Sequence, residues 1–297
     1  DMIELKNGES VSLTNGSQAK VVKELGRGGQ GIVYLVEVGG QKMALKWYFN
    51  NMGNWFYSNL EENISKGAPS EAFLWPEYLT TKQKGTYGYV MKLRPKDYYE
   101  FGQYLLARAK FKSFEAMVNA AMKICEGFKA LHLSGLSYQD LNDGGFFIDT
   151  RSGDVLVCDC DNVAADGDNF GIGGMPGFMA PEVVRGIAKP DVLTDRYSLA
   201  VVLFKLFFRG DPLEGSKVLQ CVVMTEENDL IHYGKDPVFI YDPNNASNRP
   251  VNGVHDNVIK LWKIYPDFIR EAFTLSFTYG IQAVSYTHLR AHETRGN

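Results

Sequence analysis

Gly26-Arg27-Gly28-Gly29-Gln30-Gly31-Ile32-Val33, followed ten residues on by Met43-Ala44-Leu45-Lys46, decides how this chain folds. Glycines at this spacing leave a backbone bare enough to close over phosphates. In dinucleotide-binding folds such a loop runs from a strand into a helix, but here Ile32 to Val38 is β-branched and strand-like, so the loop joins two strands. Around this loop, Val21-Val22, Ile32 to Val36, a Gly39-Gly40 turn and Met43 to Phe49 predict an antiparallel meander over 19–49. Phe56, Leu60 and Ile64 step by four and predict a short amphipathic helix ended by Gly67 and Pro69. Phe73-Leu74-Trp75 and Tyr87 to Leu93 read as further strands. From Pro95 the period changes: Ser113 is an N-cap for a helix expected to bury Phe114, Val118, Ala121, Cys125 and Phe128. Residues 234–256, with Pro237, Pro243 and Pro250, read as a long loop. The pattern predicts an α+β chain, a small antiparallel β-rich part before a larger helical one, with the changeover near Arg94.

The 297 residues carry 31 Lys+Arg against 35 Asp+Glu, a formal charge of -4. A net-acidic chain without a basic run offers nucleic acid no electrostatic footprint. The longest apolar stretch, Leu199 to Phe208, is broken by Lys205 and has about half of the roughly 20 residues that a membrane span needs. Four scattered cysteines with no CxxC pair suggest neither a disulfide framework nor a zinc site. No leader pattern opens the chain at Asp1. The expectation is a cytoplasmic protein with neither nucleic-acid nor membrane partners. Val284 to Thr294 resembles, codon for codon, one reading frame of a sequencing-library adaptor, so residues 284–297 are read as a non-biological tail; without them the charge is -5.

Met43-Ala44-Leu45-Lys46 resembles the V-A-I-K strand of protein kinases, whose lysine meets the α- and β-phosphates of ATP. Leu131-His132 through Tyr138-Gln139-Asp140-Leu141 resembles their H-R-D-L catalytic loop, with Tyr138 and Gln139 replacing His and Arg. Val155 to Asp161 is a strand ending in carboxylates where D-F-G is expected, and Asp159 lies 19 residues beyond Asp140. Gly174-Met-Pro176-Gly177-Phe-Met-Ala180-Pro181-Glu182 resembles G-T-P-G-Y-M-A-P-E at nearly every position, a segment that small-molecule kinases of related fold lack. Asp195-Arg-Tyr-Ser198-Leu199-Ala200 resembles the D-x-W-S-L-G start of the buried helix of the large lobe.

The resemblance, over roughly residues 18–280, is to eukaryotic-like, bacterial-type Ser/Thr protein kinase domains. It implies a bilobal fold, an N-lobe over 1–93 and a C-lobe over 94–283 whose last helix is truncated. It implies ATP and Mg²⁺, a protein substrate, Asp140 as catalytic base and Lys46 on the phosphates. Gly26, Gly28, Gly31, Val33, Ala44, Met91, Lys92 and Leu93 would line the ATP site. Glu61 or Glu62 would orient Lys46, Asp159 would bind metal, and alternation puts Asp161 on the same strand face as a second metal carboxylate. Asp195 would hold the catalytic-loop backbone, and Glu182 would lack its usual arginine. Gly145 stands where the motif has a metal-binding Asn, which keeps a nucleotide-binding pseudokinase scaffold as the alternative. No Ser, Thr or Tyr lies between Asp159 and Glu182, so activity without phosphorylation of that segment is expected.

Overall fold

The computed structural model describes residues 3–168 and 174–278, so the adaptor-like tail lies outside the described residues. They form two compact units: the chain up to Tyr98 joined by Leu156–Ala164, and Tyr99–Val155 with the described residues from Ala165 onward. The first unit thus extends a few residues past the expected changeover, and it regains a short later stretch that a linear division leaves out.

In the first unit, β2 (Gln18–Arg27), β3 (Gly31–Val38) and β4 (Gln41–Tyr48) make the expected meander, and β1 (Ser10–Ser12), which the pattern did not predict, adds a strand before it. Helix α1 (Asn54–Lys66) follows, then β5 (Tyr78–Leu79) and β6 (Gly88–Lys92), giving an antiparallel sheet in the order β1-β2-β3-β4-β6-β5. Strict alternation gives this sheet two different faces. Met43, Leu45 and Trp47 of β4 pack with Ile32, Tyr34, Val36, Val21 and Val90 in a buried core. The intervening residues take the other face, where Val33, Lys46 and Tyr89 stand opposite one another across three strands, as do Leu35, Ala44 and Met91. Helix α1 buries Phe56, Leu60 and Asn63 and ends at Gly67, whose φ of 79° suits a residue without a Cβ. Phe73-Leu74-Trp75 is not a strand: Phe73 makes a single parallel bridge to Val157, and Pro76, with no N–H to donate, stops the pairing there.

The second unit adds β7 (Tyr99–Glu100), α2 (Phe101–Leu105), α3 (Phe114–Leu133), β8 (Leu136–Ser137) and β9 (Phe146–Ile148). Strands β10 (Val155–Val157) and β11 (Ala164–Ala165) carry the chain into and out of the first unit. Helices α4 (Pro181–Val184), α5 (Val192–Phe208), α6 (Ser216–Leu219), α7 (Glu226–Asp229), α8 (Asp256–Ile264) and α9 (Asp267–Thr278) follow. Ser113 caps α3 by accepting from the Ala116 N–H. The buried stripe of α3 is Met117, Ala120, Ala121, Ile124, Phe128 and Leu131, while Phe114 and Cys125 are exposed. Two apolar stripes compete on this helix, and the one that packs is rotated from the one expected. Helix α5 begins with a reciprocal cap between Asp191 and Thr194. Its Phe204 and Phe208 form an aromatic core with Phe239, Phe273 and Phe277. The expected loop at 234–256 is organised by buried Asn248, whose amide donates to the carbonyls of Leu213 and Val238 and accepts from the N–H groups of Gly215 and Lys217. No helix among the described residues is long and apolar enough to cross a membrane.

Candidate active site

The sheet places four of the sequence-predicted ATP-site residues, Val33, Ala44, Lys46 and Met91, on the face away from the hydrophobic core. The glycines at its end differ in what they do. A Cβ at Gly26 or Gly28 would meet nothing within 4 Å, so their bare backbone is open to a ligand, whereas one at Gly31 would lie 2.2 Å from the Trp47 carbonyl oxygen. Gly31 therefore serves the close packing of β3 on β4, and Gly26 and Gly28 are the open part of the loop. At the end of β6, Lys92 is exposed and pairs with Glu77 at 3.7 Å, and Leu93, the next residue, is half-buried.

Lys46 is nearly buried, and its ammonium lies 2.8 Å from Asp161 Oδ2 and 3.7 Å from Asp159 Oδ1. The same Asp161 oxygen accepts the Tyr48 hydroxyl at 2.7 Å. Burial pulls the Lys46 pKa down, but Asp161 and then Asp159 outweigh it and hold the amine above its ordinary value. Burial, reinforced by Asp161, pushes the Tyr48 phenol well up. The expectation that Glu61 or Glu62 orients this lysine is corrected here. Both are exposed on α1, and Glu62 pairs with Lys66 at 3.0 Å one turn along the same helix.

The carboxylates after β10 do not share a strand face. The strand ends at Val157, and Asp159 adopts the left-handed region (φ 52°, ψ 46°) before a short 3₁₀ turn over Cys160–Asn162. This break sends the two aspartates different ways: the Asp159 side chain is 61% exposed and that of Asp161 is wholly buried. Asp161 is thus a partner of Lys46 and Tyr48, and not the open second metal carboxylate that alternation predicted. Cys158 and Cys160 are buried. Burial pushes the Cys158 thiol up to about 12 and the Cys160 thiol well up.

In the second unit, Asp140 follows a loop held from beneath by one side chain. Buried Asp195, near the start of α5, accepts the Tyr138 N–H at 2.6 Å, the Gln139 N–H at 2.8 Å and the His132 ring nitrogen at 2.9 Å. Burial raises the Asp195 pKa, and these hydrogen bonds oppose that rise. Gln139 takes a φ of 76°, a strained conformation for a residue with a side chain. Its amide donates to the Ser137 hydroxyl and to the backbone carbonyl of Asp168. Asn142 caps the next 3₁₀ turn by accepting from the Gly144 N–H, and its own amide donates to the Asp140 carbonyl at 3.3 Å. Gly145 supplies no side-chain ligand. A Cβ at Gly174 would lie 3.6 Å from Asp140 Oδ1, so the far arm of the 159–182 segment returns beside Asp140. Glu182 is half-buried at the start of α4.

Residues 19–265 match the family model described as the protein kinase domain. The chain belongs to this family. Over 112 residues, 36% of its length, this kinase domain is 30% identical to protein kinase C delta type of Mus musculus and covers 16% of that protein. Over 218 residues, 72% of its length, it is 26% identical to a probable serine/threonine-protein kinase of Dictyostelium discoideum and covers 15% of it. The chain therefore spans less than a fifth of each of these curated relatives. The solved PknI kinase domain of Mycobacterium tuberculosis matches with a TM-score of 0.52 at 22% identity, over 71% of this chain and 80% of that one, a likeness of fold.

Within the kinase domain three contacts at the site were not part of the motif reading. Tyr48 lies two residues past the lysine and shares its sheet face. Asn59 and Asn63, four apart on α1, both donate to the Val163 carbonyl, at 2.7 and 2.8 Å. The Gln139 amide takes a place that an arginine holds in the motif. Only the last had a signal, the missing arginine beside Asp140. The residues present fit a magnesium nucleotide: an exposed hard-oxygen donor on Asp159, a charged Lys46 beside it, and open glycine backbone suit a cation that takes one or two carboxylates and otherwise binds phosphate and water.

Proposed function

We propose that this kinase domain transfers the γ-phosphate of ATP to Ser or Thr hydroxyls of a protein substrate, without phosphorylation of its own activation segment. The observation that carries the reading is the bracing of the Asp140 loop: two consecutive backbone N–H groups end on buried Asp195, and Gln139 ties the loop to Asp168. Phosphoryl transfer asks the protein mainly for positioning and charge neutralisation, and a braced aspartate orients an acceptor hydroxyl. Lys46 would bind the nucleotide phosphates, Gly26 and Gly28 would close over them, and Asp159 would hold the metal. Bound Mg²⁺ would neutralise charge on the phosphates. The neutral Gln139 amide on a backbone carbonyl supports phosphorylation independence, since an arginine at this position pairs with a loop phosphate that this segment has no hydroxyl to carry.

Gly145 favours the second reading, a nucleotide-binding pseudokinase scaffold, because the side chain of Asn142 is engaged in capping and in the Asp140 carbonyl. The test is transfer of labelled γ-phosphate from Mg-ATP to a generic protein acceptor by the parent chain, Asp140→Ala and Gly145→Asn. Activity in the parent and a loss of more than 100-fold in Asp140→Ala is expected. Activity in Gly145→Asn alone would establish the scaffold reading, and phosphatase-sensitive activity traced to residues 159–182 would end the claim of phosphorylation independence.

A further inference from the structure

Lys46 is separated from every carboxylate of α1, yet it is neither loose nor unpaired. Its closest charge is Asp161 at 2.8 Å, on the turn directly after Asp159, the proposed metal ligand. That carboxylate is itself fixed, because its Oδ2 also accepts the Tyr48 hydroxyl, and Tyr48 stands on the same face of β4 as the lysine. The turn carrying Asp161 is in turn held by α1 through neutral groups: the Asn59 and Asn63 amides both end on the Val163 carbonyl. Asn63 is buried, and its own carbonyl accepts the Trp75 indole N–H at 2.9 Å. The helix therefore reaches the lysine in three steps, from amide pair to turn to carboxylate.

We infer that Asp161, gripped by Tyr48 and seated by Asn59 and Asn63, is the positioning residue for Lys46, in the place expected of a glutamate on α1. This inference rests on the proposed nucleotide site. Three physical points support it. An ammonium buried this far needs a fixed counter-charge, and a carboxylate with no exposure gives a more rigid one than an exposed helix side chain. The Tyr48 hydroxyl, a donor independent of the lysine, fixes the carboxylate through Oδ2, so the lysine keeps one direction when phosphates arrive. Asp159, with most of its side chain open, is left available for metal.

The test is a pair of double-mutant cycles with a fluorescent ATP analogue in the presence of Mg²⁺, one crossing Asp161→Asn with Lys46→Met, the other crossing Glu61→Gln/Glu62→Gln with Lys46→Met. The first is expected to show at least 10-fold coupling in nucleotide Kd, the second less than twofold. Tyr48→Phe, which keeps the packing and removes one hydrogen bond, should fall between wild type and Asp161→Asn in both Kd and kcat, with KM for the protein acceptor unchanged. Coupling confined to the glutamate cycle, or nucleotide affinity in Asp161→Asn equal to wild type, overturns the inference. A parent chain that binds no nucleotide overturns it too, since the lysine then has no phosphates to meet. Binding without phosphotransfer would remove the proposed activity alone, and the binding cycles would still decide the role of Asp161. Should Asp161→Asn fail to fold, Tyr48→Phe and Asn59→Ala carry the same test from the two sides of the turn.

Discussion

Asp195 shows what one buried carboxylate does for a loop that carries a strained residue. With Gln139 at a φ of 76°, the Tyr138–Asp140 segment would relax to a commoner conformation if its N–H groups had no fixed acceptor. Asp195→Ala is expected to cost about 3 kcal/mol, because breaking a buried network strands its remaining donors. Urea unfolding measures this, and phosphotransfer should fall with it. The glutamine beside it is a milder case. Gln139→Ala removes two side-chain hydrogen bonds that join the loop to Ser137 and Asp168, so it should lower kcat several-fold and leave the fold intact, as the acceptor-titrated rate and a thermal melt would show.

Helices and strands of this chain are as stable as their ends and closest approaches allow. Ser113→Ala should cost about 1 kcal/mol, the usual value of an N-cap, since it removes the side-chain acceptor that caps α3. Gly153→Ala should cost more. Gly153 has a φ of 80°, and an added Cβ would lie 2.0 Å from the Ala116 carbonyl oxygen, so the turn before β10 would have to move off the start of α3. Thermal melts of the two variants should rank in that order. The meander around Gly28 was legible because alternation and glycine spacing are local signals. The buried face of α3 was not, because Phe114 and Cys125 complete one apolar stripe while Met117 and Ile124 complete another, and only tertiary packing chooses between them. The partner of Lys46 was hidden for a related reason. Glu61 and Glu62 lie at a suitable distance along the chain, but the left-handed turn at Asp159 that brings Asp161 inward leaves no mark in residue spacing.

Across the whole molecule, the sharpest pH response is expected from the second unit. Asp211 is pushed up to about 7 by burial and by Glu214, against the pull of Lys205 at 3.6 Å, while its ordinary value is 3.8. The folded chain thus holds this proton more tightly than the unfolded chain does between those values. The contribution is fully present below the lower value and is lost as pH rises through the upper one. The urea midpoint should therefore fall from pH 5 to pH 8, and Asp211→Asn should flatten that slope. The first unit offers a different handle. Cys158 and Cys160 are shielded from solvent with their thiols held protonated, so a disulfide reagent can reach them only during transient opening of the region beside Lys46. Their rate of capture, followed under native conditions, is a clock for how often the turn carrying Asp161 opens, and a nucleotide that holds Lys46 against that turn should slow it.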